Sequence, residues 1–583
     1  MDFIKKNWLV FLLIAVGFFV YAFNLHNGLF WDDDDWIINN NFVHNISWGN
    51  IKFWFSENVL AGIGLKSNYY RPALFFTFAL NYVIAGIKPL IWHLTSNLLH
   101  IANGVLIFSI LYLVSSKKLV AFLTALIFLI HPLQTEAVTY ISGRGDPLGV
   151  FFMLLTLWLF IKSQEVFSIK YKVLSIIFLV LALFSRETAI IFPMLLMVFY
   201  ISFLSPTLTF WTSFKKSFLK VLPYFVIVVI YGILRLTVLN FNNTLNFYQQ
   251  SNVYSENLYV RLFTFMHVLA DYGRLLIWPT GLHMERSMTV HVSLFQWPVW
   301  GVFLALVGLV GWLVYLYRKE SKDIRVWFFG AGWFFIALAP VSGITPINAV
   351  LYEHWLYLPM VGFWFAIAYY LVKLLNFKGS TFLKIQGRTL VVVALVAYLS
   401  FFGYQSIKRN ILWGKPVEFF EDILKYEPDS ARINNNLGNL YFNQGNIEKA
   451  ETYYRKTIAA GDIFAQPHYN IGSILQSRGD VEGAIAEFER AIAVDPDFTY
   501  SYQSIAILYV KKGDLAKAVE YLEQLKKLLP QYSRAYYNLA LLYVARGDSE
   551  SAIDNLSKGL TFADADPEAK ALMEQLLNKL TKK

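Results

Sequence analysis

The chain has 583 residues, of which 56% are hydrophobic, 18% aromatic and 15% charged, and its mean hydropathy is +0.46. That balance excludes an ordinary soluble globular protein, and repeated apolar runs of about 20 residues mark a chain that crosses a membrane several times. The absence of cysteine excludes disulfides, thiolate metal sites and cysteine nucleophiles; the net charge of +10 reads as membrane-loop topology, so no nucleic-acid partner is expected.

The first apolar run, 7–23, follows Lys5 and Lys6 without a small-residue cleavage site behind it, and it reads as a retained span. Just beyond it stand four consecutive carboxylates, Asp32, Asp33, Asp34 and Asp35, between Trp31 and Trp36. Four charges cannot enter hydrocarbon at about 3 kcal/mol each, so the run lies just outside the membrane, at the depth tryptophan prefers. With about 20 residues per span as the ruler, the chain yields about eleven: 7–23, 89–114, 119–133, 146–162, 172–185, 189–205, 219–238, 298–317, 325–340, 355–375 and 389–406. Every second connection is basic: Lys117 with Lys118, 162–172, Lys215 and Lys216 with Lys220, 318–325 and 373–388. These loops and the N-terminus are expected in the cytoplasm. An odd count then puts everything after residue 406 on the extracytoplasmic side, with a bacterial plasma membrane as the expected setting.

The other connections collect the ionisable residues. The first, 24–88, holds the acidic run, Arg71 before Pro72, and an apolar stretch at 73–85 too short to cross, expected as an interfacial helix. The second carries His131, Glu136, Arg144 and Asp146; the third, Arg186 and Glu187; the fifth, Glu353 and His354. In the fourth, 239–297, the segment 258–278 is interrupted by Arg261, His267, Asp271 and Arg274 and suits an interfacial helix. Ionisable groups at span ends are functional candidates by default. A carboxylate there can act as base toward a hydroxyl or ligate a hard divalent cation; both roles stay open for Asp32 to Asp35. Arg71, on backbone stiffened by the next proline, suits bidentate phosphate binding. Base and phosphate clamp facing lipid describe transfer of a group from a lipid phosphate. His93, Asn97 and His100 fall on one helix face and are expected as packing polars between helices.

Near residue 405 the composition turns mixed and helix-prone. From 431 a period of 34 sets in, the tetratricopeptide-repeat signature: Gly438, Gly472, Ala506 and Ala540; Gly445, Gly479, Gly513 and Gly547; Ala450, Ala484, Ala518 and Ala552. Four repeats follow, at 431–464, 465–498, 499–532 and 533–566, with a connecting segment and leading half-repeat at 407–430 and a capping helix at 567–583. Asn435, Asn436, Asn439 and Asn470 are candidates for holding an extended peptide backbone. The fold class is thus all-α: a polytopic membrane domain, 1–406, followed by a helical solenoid.

The order of motifs resembles the GT-C superfamily of membrane glycosyltransferases, and more closely the transmembrane-and-tetratricopeptide-repeat O-mannosyltransferases and their prokaryotic relatives. The matching pieces are Trp31-Asp-Asp33 with Asn39 and Asn40, Tyr70-Arg-Pro72, and His93 with Asn97 and His100. They continue with His131-Pro-x-Gln-Thr-Glu-Ala-Val138, Ser142-Gly-Arg-x-Asp146, Ser185-Arg-Glu-Thr188 and Leu356-Tyr-Leu-Pro359. The resemblance implies catalytic carboxylates at Asp32 and Asp33, a lipid-phosphate role for Arg71, Arg144 and Arg186, and a site shaped by His131, Glu136, Asp146, Glu187, Glu353 and His354. Relatives often carry Arg where this chain has His354, and Lys where it has Arg186. A polyprenyl-phosphate sugar would be the co-substrate, a protein hydroxyl the acceptor, and the repeats its recruiting surface, with a divalent cation at Asp32 to Asp35 as an accessory. Two rival readings are an envelope polysaccharide ligase or polymerase and a non-catalytic repeat scaffold.

Overall fold

The computed structural model describes residues 2–63, 67–166, 168–205, 209–241, 252–347, 349–375, 381–563 and 566–581; part of the 373–388 basic connection, part of the 239–297 loop and the end of the capping segment lie outside these. Among the described residues every regular element is helical. The chain forms two compact units, Met1–Phe419 and Phe420–Lys583.

In the first unit, helices stand at all eleven positions read from the apolar runs. Eight are long and apolar enough to cross by themselves. A ninth is the pair Lys118–Ile130 and Pro132–Thr139, bent by 53°. The bend falls at His131-Pro132, because proline donates no amide and leaves a following turn to start afresh. The remaining two are shorter: Ile169–Ser185 with 17 residues and Met360–Leu375 with 16. At 1.5 Å per residue each is about 25 Å long, near the short end of the range for spanning helices. Pro72–Ala85, 14 residues started by proline at its first position, covers the short stretch expected at 73–85, and Leu258–Ile277 is the expected polar-interrupted one. The last helix of the unit, Thr381–Trp413, runs past residue 406, where the apolar run ends.

The second unit is a stack of antiparallel helix pairs. Ala431–Asn443 packs on Ile447–Ala460, Ala465–Ser477 on Val481–Val494, Thr499–Lys511 on Leu515–Leu528, and Ser533–Ala545 on Ser549–Leu560; Pro567–Thr581 closes the stack. Each turn between pair members uses glycine with φ between 77° and 83°, at Gly445, Gly479, Gly513 and Gly547, a conformation that side chains resist. At Gly472 a Cβ would stand 2.7 Å from Phe488, so only glycine lets the two helices close to this distance.

Candidate active site

The acidic run is parted by the backbone. Trp31 adopts φ 66°, rare for a bulky residue and a mark of a constrained segment, and its ring is packed against Tyr140 and Phe419. Beyond it Asp33 turns inward and is 2% exposed, whereas Asp32, Asp34 and Asp35 are exposed. The Asp33 carboxylate accepts the Ser142 amide at 2.8 Å, the Ser142 hydroxyl at 2.5 Å and the Phe30 amide at 3.4 Å. Burial pushes Asp33 up to about 7, against the pull of Ser142 and with a further push from the neighbouring charge of Asp32. Asp34 and Asp35 begin a π-helical turn, Asp34–Ile38, and partial burial moves both upward, Asp34 also through Asp35.

The segment that fixes Asp33 also fixes the cationic part of the site. Four residues after Ser142, Asp146 pairs with Arg186 at 3.1 Å. Arg186 in turn donates to His354 Nε2 at 3.2 Å. Glu136, fully buried, accepts from His354 Nδ1 at 2.6 Å and from the amides of Glu353 and His354 at 3.0 and 3.3 Å. This leaves His354 Nε2 as the acceptor facing Arg186, since Nδ1 carries the proton toward Glu136. Arg186, Asp146 and His354 form the polar part of a cleft whose other walls include Met153, Ile191, Ala337, Val341, Trp355 and Leu358. A charged group at the end of an apolar wall is what a phosphate on a lipid tail requires.

Arg71 lies beside this group. Its guanidinium pairs with Glu187 at 3.0 Å and stacks over Tyr69 at 4.4 Å and Trp36 at 5.6 Å, which ties it to the acidic loop. Glu187 also accepts the Tyr70 amide at 2.9 Å. Two expectations change. Arg144 is fully buried beneath Phe78 and Trp92 and spends its donors on Ser96, the Trp92 carbonyl and Thr77, so it is a scaffold residue that cannot reach a lipid phosphate. His131 is likewise fully buried, bonding the Leu276 carbonyl and the Leu133 amide. Asp33 faces inward, and among the described residues no group of three or more His, Asp or Glu side chains is arranged to hold a metal ion; no step is routed through one.

Two arginines join the site that sequence reasoning missed. Glu353, fully buried, is clamped by Arg286 and Arg409, each at 3.0 Å. Asn410 bonds Thr139 and, through its carbonyl, Asn27, while Asn24 bonds Asn97 and Thr139. His93 bonds the Asn27 carbonyl, and His100 bonds Tyr357 and the Leu129 carbonyl, as inter-segment packing polars do. A charged residue within one turn of a span end was the available signal for Arg409. In the repeat unit, Asn435 bonds Gln466 and Asn470 bonds Asn439, which also accepts from Tyr454; Asn436 stands in the same helix as Asn435 and Asn439.

Comparison with known sequences agrees with both parts. Tetratricopeptide-repeat family models match 419–452, 465–498 and 509–576. Over 478 residues the chain is 24% identical to the protein O-mannosyl-transferase F38B6.6 of Caenorhabditis elegans, an alignment covering 79% of this chain and 64% of the relative. It is 25% identical to the protein O-mannosyl-transferase TMTC3 of Mus musculus, covering 76% and 50%, and 25% identical to human TMTC1, covering 74% and 53%. Its homologues are protein O-mannosyl-transferases. The chain spans between half and two thirds of the length of these relatives. Among solved structures, MamA matches 28% of this chain and 94% of its own length at 23% identity, with a TM-score of 0.25, too low to carry an argument.

Proposed function

We propose that the chain is an integral-membrane glycosyltransferase that moves a hexose, mannose by the example of its relatives, from a polyprenyl-phosphate carrier to a hydroxyl of a protein. One observation carries this reading: a single short segment, through Ser142 and Asp146, holds both the acidic loop and the Arg186 cleft. Asp32 takes the proton of the acceptor hydroxyl, whose oxygen forms the new bond to the anomeric carbon. The bond from that carbon to the phosphate oxygen breaks, and the lipid phosphate leaves with the electron pair. A single displacement of this kind inverts the anomeric centre. Arg186, with the Nε2 edge of His354 beside it, receives the phosphate charge, and the apolar cleft wall receives the start of the carrier chain. Asp33 positions Asp32 and does not itself meet the acceptor.

The basic connections support a cytoplasmic N-terminus. The site and the repeats then face the extracytoplasmic side, where the repeats recruit the acceptor. The test is sugar transfer from a polyprenyl-phosphate sugar to a hydroxyl-bearing peptide by the purified chain. Asp32→Asn is expected to lower turnover by on the order of 10²–10⁴ with carrier binding intact. Arg186→Ala is expected to weaken carrier binding. Full turnover by the Asp32 variant sinks the assignment.

A further inference from the structure

At the end of the membrane unit opposite the proposed site lies a second cleft of different character. The helix Gly145–Val166 carries Asp146 of the site in its first turn, so Gln164, 18 residues on, stands about 27 Å away at 1.5 Å per residue. There the cleft is walled by Ser163, Gln164, Ser168, Lys172, Lys220 and Tyr224, from three helices, with a volume of about 230 Å³. Its lysines come from different elements: Lys172 from Ile169–Ser185 and Lys220 from Phe210–Leu236. Both are exposed, and among the described residues neither ammonium group has an acceptor or an acidic partner.

Charge in a membrane-edge loop needs only a solvated, splayed arrangement to satisfy topology. Here two cations from separate helices converge on one concavity whose neutral walls are hydroxyls and an amide. Tyr224 is fully buried and bonds Ser175 at 2.5 Å, and Ser163 donates to the Phe160 carbonyl and accepts from Gln164, so the polar wall is held in place. The nearest acid in sequence, Glu165, is taken by Lys162 at 2.8 Å. The rim is strongly apolar: Ile169 is 72% exposed and Leu219 60%. Two unneutralised cations above such a rim fit a phosphate carried on acyl chains.

We propose that this cleft binds the headgroup phosphate of an anionic membrane phospholipid, with Lys172 and Lys220 as its charge partners and Gln164 and Ser168 as neutral donors. The site is independent of the sugar-transfer reading, which it neither requires nor supports. The test reconstitutes the full chain in phosphatidylcholine bilayers, titrates in phosphatidylglycerol, and counts retained lipid by native mass spectrometry. Wild-type protein is expected to retain phosphatidylglycerol over phosphatidylcholine. The Lys172→Ala/Lys220→Ala pair is expected to lose that preference by on the order of 30-fold, at about 1 kcal/mol for each lysine, with an unchanged melting temperature in pure phosphatidylcholine. Lys172→Arg/Lys220→Arg is expected to keep the preference. If the alanine pair melts lower, Lys172→Gln/Lys220→Gln, which keeps most of each stem, takes its place with the same expectation. Equal retention by the neutral pair, or no preference in the wild type, overturns the proposal. So does full displacement of the lipid by millimolar inorganic phosphate, which would reassign the cleft to a soluble anion.

Discussion

The two units of this protein use polar side chains in opposite ways. In the membrane unit the buried contacts of the site join distant sequence: Glu353 meets Arg409 and Arg286, Glu136 meets His354 across 218 positions, and Asn27 meets the carbonyl of Asn410 across 383. In the repeat unit the same local device recurs every 34 residues. Asn446, Asp480, Asp514 and Asp548 each cap the second helix of a pair by accepting from an amide three residues on. A solenoid's stability is approximately a sum over neighbouring repeats, so one lost cap is one term among several. A buried charge that loses its sole partner has no such reserve.

The largest expected effect is therefore at Glu353. Glu353→Gln leaves two buried guanidinium groups without a counter-charge, at a cost of about 3–5 kcal/mol, read as a fall in the melting temperature of the detergent-solubilised protein. Glu353→Leu combined with Arg286→Met and Arg409→Met should recover much of that loss; a stable Glu353→Gln variant would break the contrast at once. Next is Asp33, pushed up to about 7. Its folded value lies above the unfolded value near 3.9. Its contribution to stability is therefore full below about 4 and lost as pH rises through about 7. In the same window its ionisation raises the basicity of Asp32, so transfer activity should climb with an inflection near 7. Asp33→Asn should lack that inflection. A third, smaller effect belongs to the repeats: Asp514→Ala removes one cap, at about 1 kcal/mol, and hydrogen exchange should loosen in Leu515–Leu528 while the other pairs keep their protection. The smallest is at His468, held between Glu487 at 2.6 Å and Asp462 at 2.8 Å. Its bonds to these carboxylates raise its value despite desolvation. The stabilisation is thus complete below about 6.5 and fades as pH rises through the raised value. The repeat-unit melting temperature should fall from pH 6 to 8.5, and His468→Gln should flatten that slope.

The same contrast decides what the sequence discloses. Repetition makes the solenoid legible, because a period of 34 shows each turn glycine and each small residue four times. Span positions are legible because apolar runs have a length scale. The end of the last span was not, because Arg409 and Asn410 look like the start of a solvated linker until their partners Glu353, Leu282 and Thr139 are known. Arg144 misled for the converse reason. A charge beside a loop looks available until Ser96, Trp92 and Thr77, from two other helices, take its donors. Asp32 and Asp33 could be singled out as a pair, but not given different jobs, since the inward turn of Asp33 depends on Ser142, 109 positions away.

The π-helical turn at Asp34–Ile38 gives the acidic run a fixed end and a slack end. Upstream, the left-handed Trp31 and the Ser142 contact count the register from the first carboxylate. Downstream, a turn closed by i→i+5 bonds accommodates one residue more than an α-turn. Asp34 and Asp35 occupy that slack. The run can lengthen or shorten there without moving the two residues that precede it, much as a belt is let out on the side away from its buckle.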